Sequence, residues 1–155
     1  GVCPWAHGRI IDITDETKPV KVSDITLEVN DPAHCLETEP DVANYSAHYV
    51  GFDNVQNATT LFTTHYSGGL RVWDIRDPAK PKEIAYWHPV PNPRTPTVPL
   101  SEFFGSSGAR WDAVPTYVRY RPETGHIWIA SYSAGFQILA FTPSAGPTAP
   151  KPTGR

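Results

Sequence analysis

The stretch that decides the fold is Thr60-Leu-Phe-Thr-Thr-His-Tyr-Ser-Gly-Gly-Leu-Arg-Val-Trp-Asp-Ile75. β-Branched and aromatic residues dominate its two halves, and a Ser-Gly-Gly segment separates them, as is typical of two strands joined by a tight turn. The chain repeats this pattern without gaps at His126-Ile-Trp-Ile-Ala-Ser-Tyr-Ser-Ala-Gly-Phe-Gln-Ile-Leu-Ala-Phe141. We therefore predict two equivalent hairpins, in which Gly69 and Gly135 occupy positions that need a positive φ or a close backbone approach.

A third, partial copy lies near the start of the chain. Gly8-Arg-Ile-Ile-Asp-Ile-Thr-Asp-Glu-Thr-Lys-Pro19 aligns with Leu70-Arg-Val-Trp-Asp-Ile-Arg-Asp-Pro-Ala-Lys-Pro81 and shares its Arg, Asp, Ile, Asp, Lys and Pro. Aspartates stabilise turns by accepting hydrogen bonds from nearby backbone N–H groups, and proline ends a strand. We therefore interpret the repeated aspartates as turn formers and not as acid/base pairs; they are Asp12, Asp15, Asp74 and Asp77.

Further strands flank these hairpins. The predicted strands cover residues 8–13, 20–27, 45–52, 59–66, 69–75, 82–87, 114–121, 126–132 and 135–141. Four antiparallel strands repeated along a chain are typical of β-propeller blades, so we predict an all-β chain with about 2.5 four-stranded blades. The blade units span residues 1–27, 45–87 and 114–141, within a partial propeller domain of residues 1–142. An independent β-sandwich of about ten strands is the alternative.

Two segments also resemble the LVIVD repeat of a propeller-forming family. They are Gly69-Leu-Arg-Val-Trp-Asp-Ile-Arg-Asp-Pro-Ala-Lys-Pro81 and Arg9-Ile-Ile-Asp-Ile-Thr-Asp15, in which a glycine-led apolar strand precedes an aspartate turn. Residues 136–143 depart from the repeat, since Ala140 stands where the other copies have aspartate. The resemblance implies a propeller fold in a family whose members are often exported and mostly have no assigned activity.

Composition fits a folded β-rich protein and excludes some partners. The 155 residues are 39% hydrophobic and 12% aromatic, with 17 Pro and 11 Gly, which long helices would not tolerate. The net charge of −3 gives no electrostatic case for binding nucleic acid. No apolar run approaches the roughly 20 residues of a membrane span.

The strand count is incomplete at both ends. The chain has no Met, so we expect that Gly1 is not a native translation start and that either a leader was removed or the chain is a piece of a longer product. About 2.5 blades cannot close a ring, so we expect the C-terminal part of a longer propeller with roughly six or seven blades. The missing strands would leave sheet edges uncovered. We therefore expect a partner, either another polypeptide carrying the remaining blades or further copies of this chain that complete the ring.

Two long connections and a proline-rich tail complete the organisation. Residues 28–44 and 88–113 link one predicted blade to the next, and residues 143–155 form the Pro/Gly-rich tail. Long loops on a rigid scaffold are where binding functions concentrate. Solvated insertions without a role are the alternative interpretation.

Histidines and cysteines gather on one predicted face of the blades. Strand direction alternates within a blade, so the connection between its middle strands and the connection to the next blade emerge on the same side. Five of the six His and both Cys fall there, and only His126 falls on the other side. The candidate binding residues are His7, His34, His48, His65, Tyr66, His88 and Trp111.

Three interpretations of this face stay open. Imidazole and thiolate are ligands for copper, zinc or iron, and His48 and His65 are the candidate metal ligands. Cys3 and Cys35 alternatively form a disulfide, which requires Cα atoms at most about 7 Å apart and favours an extracytoplasmic protein, secreted or periplasmic. The third interpretation is hydrogen-bonded histidines at strand ends and two unrelated thiols.

The sequence favours a binding or interaction scaffold whose working surface is this loop face, because a rigid ring positions variable loops. The alternative is a metal-dependent enzyme with a His/Cys-ligated site near the propeller axis. No nucleophile elbow or other catalytic signature supports a specific reaction.

Overall fold

The computed structural model describes residues 6–34, 45–88, 115–131 and 134–141. Within these ranges the chain is all-β, with antiparallel sheets and one short 3-10 helix at Glu28–Asn30. The strands are β1 (Gly8–Asp12), β2 (Val20–Ile25), β3 (Ala47–Phe52), β4 (Thr60–His65), β5 (Gly69–Asp74), β6 (Lys82–Trp87), β7 (Pro115–Arg121), β8 (His126–Ser131) and β9 (Gly135–Ala140).

The strands form three sheets in chain order. The first sheet is β1-β2, the middle sheet is β3-β4-β5-β6 and the last sheet is β7-β8-β9. Each predicted strand is present, with bounds within two residues of those expected. The 3-10 helix lies in a segment that the sequence analysis assigned to a connection.

The two hairpins predicted from the repeat have the same register. Thr60 faces Asp74 in β4–β5, and His126 faces Ala140 in β8–β9. The prediction for the two turn glycines is confirmed, since φ is 74° at Gly69 and 72° at Gly135. A Cβ atom at Gly69 would also lie 2.4 Å from the Trp87 carbonyl oxygen, so only glycine fits there.

The repeated aspartates stabilise turns, as predicted. Each accepts a hydrogen bond at Oδ1 from the backbone N–H two residues further on, over distances of 2.8 to 3.1 Å. This arrangement is the Asx turn, which reverses the chain after a strand. The residues are Asp12, Asp15, Asp74 and Asp77.

Strand β4 is buried on both faces because a sheet packs against each side of the middle sheet. Leu61 and Trp73 pack with Ile25 and Leu27 of the first sheet and the segment that follows it. On the other face, Phe62 belongs to the core shared with the last sheet. Successive side chains of a strand point to opposite faces, so every residue of β4 is buried.

Aromatic stacking marks the core between the middle and last sheets. The rings of Phe62 and Tyr120 stack at a centroid distance of 5.2 Å and an interplanar angle of 13°. Val118 and Ile129 of the last sheet complete this core and are almost fully buried. The first strands of the middle and last sheets, β3 and β7, lie next to each other.

Exposed apolar side chains lie on both the first and the last sheet. Ile11 and Val20 are exposed on the first sheet, and Phe136 and Ile138 are exposed on the last sheet. The middle sheet is therefore the interior of a three-sheet stack within the described residues.

Several predictions concern residues that the structure does not describe. Cys3, Cys35, Trp111 and the tail 143–155 lie outside the described ranges, as does most of both long connections. The disulfide and the tail therefore stay predictions. In the part of the chain that the structure covers, no helix has the length and apolar character needed to span a membrane.

We predict that Phe62→Ala lowers the free energy of unfolding by about 3–5 kcal/mol, because it opens a cavity between two packed sheets. Phe136→Ala is the matched control, since Phe136 is 61% exposed and its loss should cost about 1 kcal/mol or less. Denaturant unfolding of the wild-type chain and both variants measures the difference. Equal costs for the two variants would contradict the burial of Phe62 between the middle and last sheets.

Candidate binding site

A β-bulge in β3, an edge strand of the middle sheet, creates the most distinctive surface feature. Ala47 pairs with His65 and Val50 pairs with Thr63, so His48 and Tyr49 lie opposite the single intervening residue of β4. Side chains alternate along a regular strand, and the extra residue interrupts this alternation. As a result, the rings of His48 and Tyr49 lie in edge-to-face contact, with centroids 4.8 Å apart.

The hydroxyl of Thr64 stabilises this bulge. Thr64 Oγ1 accepts a hydrogen bond of 3.1 Å from the backbone N–H of Tyr49, a group displaced from regular strand pairing. A backbone N–H group that is buried without a partner destabilises the fold, so the Thr64 hydroxyl stabilises the bulge by accepting this hydrogen bond. Thr64 is fully buried, which fixes the position of its hydroxyl.

A second bulge occurs at the corresponding place in β7, the first strand of the last sheet. Pro115 pairs with Ser131 and Tyr117 pairs with Ala130, which leaves Thr116 as the extra residue. The carbonyl oxygen of Thr116 accepts a hydrogen bond of 2.8 Å from His48 Nδ1. The two bulges are therefore joined directly across the boundary between the sheets.

Four aromatic rings meet at the two bulges and form what we call the ring cluster: His48, Tyr49, Tyr66 and Tyr117. His48 lies 4.8 Å from Tyr66, and Tyr49 lies 5.4 Å from Tyr117 between ring centroids. Tyr49 is 48% exposed and Tyr117 is 45% exposed. The cluster is thus a continuous aromatic surface that solvent reaches.

Burial and hydrogen bonding act on two polar groups of the ring cluster. Burial raises the pKa of the Tyr66 hydroxyl, so this group stays protonated at physiological pH. A carbonyl oxygen only accepts, so His48 carries a proton on Nδ1, and in the neutral ring Nε2 is an acceptor. The ion pairs seen among the described residues join other side chains, such as Arg71 with Glu83.

His65, next to the ring cluster in sequence, has a structural role. Its Nδ1 donates to the carbonyl oxygen of Tyr45 at 3.1 Å. Trp73 Nε1 donates to Thr63 Oγ1 at 2.9 Å, so the Thr63 hydroxyl proton points to His65 Nε2, 3.0 Å away. Both ring nitrogens of this fully buried side chain are therefore engaged with protein groups.

Burial has a large effect on His65. Desolvation lowers the pKa of its imidazole to about 4, an effect that the hydrogen bond to Tyr45 partly offsets and the nearby Arg71 charge reinforces. The side chain is thus neutral at physiological pH, in the tautomer with the proton on Nδ1.

The other predicted binding histidines lie at the same end of the sheets or just beyond it. His88 Nε2 is 2.8 Å from the Ser67 carbonyl oxygen, so His88 contacts the turn that carries Tyr66. His7 Nε2 lies 3.4 Å from Asp24 Oδ1 in the first sheet. His34 lines a surface pocket of about 540 Å³ formed by residues between Thr26 and His34.

In the described ranges, no group of three or more His, Cys, Asp and Glu side chains has the arrangement of a metal site. Of the two candidate ligands, His48 is exposed and uses Nδ1 for its hydrogen bond to Thr116, whereas His65 would have to break its bond to Thr63 or Tyr45 to bind a metal. No protein-family model matches the chain, and no curated protein matches it. The resemblance to the LVIVD repeat therefore remains an interpretation of the sequence.

Sequence reasoning missed Tyr49, Tyr117 and Thr116 as site residues. A signal was present, because alignment of the inner strands β3 and β7 places Tyr49 over Tyr117. The bulges that aim both side chains at the surface have no such signal, because the sequence of a strand does not show which partner residue it opposes.

We predict that the free energy of unfolding falls as the pH is lowered from about 6.5 to about 4, because His65 binds a proton in the unfolded chain before it does so in the folded one. Above this window the imidazole is neutral in both states and contributes no pH dependence. The difference between the ordinary pKa of 6.5 and a value of about 4 corresponds to a total loss of about 3 kcal/mol.

Denaturant unfolding at a series of pH values measures this effect. His65→Asn should be less stable than wild type at neutral pH and should lose less stability on acidification. His126→Gln is the control, because His126 is the first residue of β8 in the last sheet, whereas His65 ends β4 in the middle sheet. Replacement of His126 should leave the acid-induced loss in place. An equal acid-induced loss in His65→Asn and wild type would show that His65 is not its cause.

Proposed function

We propose that this chain is part of a β-propeller of the LVIVD-repeat type and acts as a binding scaffold. Its working surface is the end of the sheets that carries the ring cluster. The ring cluster is the observation that carries the proposal: two neighbouring inner strands have bulges at corresponding places, and both bulges present tyrosines to solvent. Bulges are enriched beside functional sites, where they redirect side chains.

The arrangement of the sheets supports the propeller part of the proposal. The four strands of the middle sheet follow chain order, as in a propeller blade. The inner strands β3 and β7 lie side by side, which is the arrangement expected around a propeller axis. In this proposal the exposed apolar side chains of the first and last sheets are covered by further blades, from another polypeptide or from copies of this chain.

Export belongs to the same proposal and depends on the Cys3–Cys35 disulfide, since thiols are kept reduced in the cytosol. This bond would favour an extracytoplasmic location, either secreted or periplasmic.

A metal-dependent enzyme is the competing function, and elemental analysis separates the two. We expect the purified chain to contain copper, zinc and iron only at substoichiometric levels and to keep its melting midpoint after treatment with EDTA. A metal present at about 100 times its Kd would stabilise the fold by about 2.7 kcal/mol, so its removal would lower the midpoint by several degrees.

The control for this measurement is His48→Ala, which removes the candidate ligand that is exposed. Stoichiometric metal that is lost in His48→Ala, together with a lowered melting midpoint after chelation, would favour the enzyme and contradict the scaffold. Metal-free protein with the same midpoint in wild type before and after chelation would support the scaffold.

A further inference from the structure

The first sheet corresponds to the outer half of the middle sheet. The repeat aligns Ile10 of β1 with Val72 of β5, and the pairing of each strand with the next one shifts register directly after that residue. In the middle sheet, β4 pairs with the other edge of β5. In the described ranges β1 pairs with β2 alone, so the position that corresponds to β4 has no described strand in the first sheet.

Burial at equivalent positions shows the effect of this difference. The registers of the two sheets make Val50 of β3 equivalent to Val118 of β7, and Phe52 equivalent to Tyr120. Val118 is 2% exposed and Tyr120 is 5% exposed, because both lie in the core with Phe62 of β4, which stacks on Tyr120. In contrast, Val50 is 51% exposed and Phe52 is 43% exposed. The same two positions are thus buried where a strand such as β4 covers them and open on the side of the first sheet.

A groove of about 480 Å³ lies at this place, and we call it the strand groove. Residues 8–11 of β1 form one wall, and Val50, Phe52 and Leu61 of the middle sheet form the other. Exposed apolar side chains that gather in one groove are typical of an interaction site. The edge of a strand offers backbone N–H and C=O groups to an extended chain. The strand groove therefore combines a backbone edge for pairing with an apolar wall for side chains.

We propose that the strand groove binds a β-strand of another polypeptide, which pairs antiparallel with the edge of β1 opposite β2. Strand β4 is the template for this occupant, since its Phe62 faces Val72 of β5 and stacks on Tyr120 of the last sheet. The added strand should therefore carry an aromatic side chain opposite Ile10, where it would cover Phe52. This inference rests on the propeller part of the proposed function, because the added strand would extend the first blade.

A second copy of this chain is a less suitable occupant. Strand β4 has the required pattern, but it is central in its sheet and buried along its whole length, so a folded copy does not offer it. The strand groove also lies between β1 and the middle sheet, and its volume admits a short extended segment and not a complete sheet. An exposed strand or terminal segment of a different polypeptide meets both requirements.

The test is a fluorescence anisotropy titration of the full chain into a labelled peptide that copies residues 58–66, Ala-Thr-Thr-Leu-Phe-Thr-Thr-His-Tyr. We expect saturable binding. Replacement of the central Phe of the peptide by Ala should weaken it by about tenfold, and Phe52→Ala in the chain should do the same, since each change removes one side of an aromatic contact. Phe136→Ala is the matched control, because Phe136 is 61% exposed on β9 and its loss should leave affinity unchanged.

N-methylation of the peptide tests backbone pairing without any change in the chain. Hydrogen bonds to one neighbouring strand come from alternate residues, so two peptides methylated on alternate nitrogens differ in which edge they block. We expect one of them to bind within about threefold of the unmodified peptide and the other to lose about tenfold or more. Equal affinities of the two methylated peptides would contradict strand addition.

Three further results would overturn the proposal. They are the absence of saturable binding, binding that is lost in Phe136→Ala and kept in Phe52→Ala, and self-association of the chain alone that Phe52→Ala abolishes. Sedimentation equilibrium measures the last, which would make a second copy the occupant. None of these results contradicts the scaffold, whose separate readout is stoichiometric metal that is lost in His48→Ala.

Discussion

The burial of β4 on both faces is the constraint on which the rest of the structure depends. Leu61 serves the core with the first sheet and Phe62 serves the core with the last sheet, so neither face of the middle sheet is available to water along this strand. The second half of β4 is nevertheless polar. Thr63, Thr64 and His65 must therefore find hydrogen-bond partners inside the protein.

These internal partners connect the core to the surface site. Thr63 joins Trp73 to His65, and His65 in turn holds the carbonyl of Tyr45 at the start of the segment that leads into β3. Thr64 holds the bulged backbone of β3. The polar half of β4 thus fixes β3 on one side, and the ring cluster lies where β3 departs from regular pairing.

Much of the fold could be predicted from the sequence, because the responsible interactions are local or periodic. The strands follow from β-branched and aromatic runs, the turn glycines from the Ser-Gly-Gly pattern, and the Asx turns from repeated aspartates. The candidate site was harder to predict from the sequence. His65 was a candidate ligand by residue type, and only its burial shows that its ring nitrogens are occupied. Tyr49 and Tyr117 meet across two sheets because of bulges, which depend on the partner strand and not on local propensity.

Amide hydrogen exchange, followed residue by residue in the native chain, tests the double-sided burial of β4 most directly. Strands β4 and β8 are both central in their sheets and hydrogen-bonded on both sides, so they differ mainly in the covering of their faces. The amides of β4 should exchange more slowly than those of β8, because β4 opens only when both cores are disrupted. Exchange in β4 that is as fast as in β8 would contradict the stack of three sheets and the support that it gives to the ring cluster.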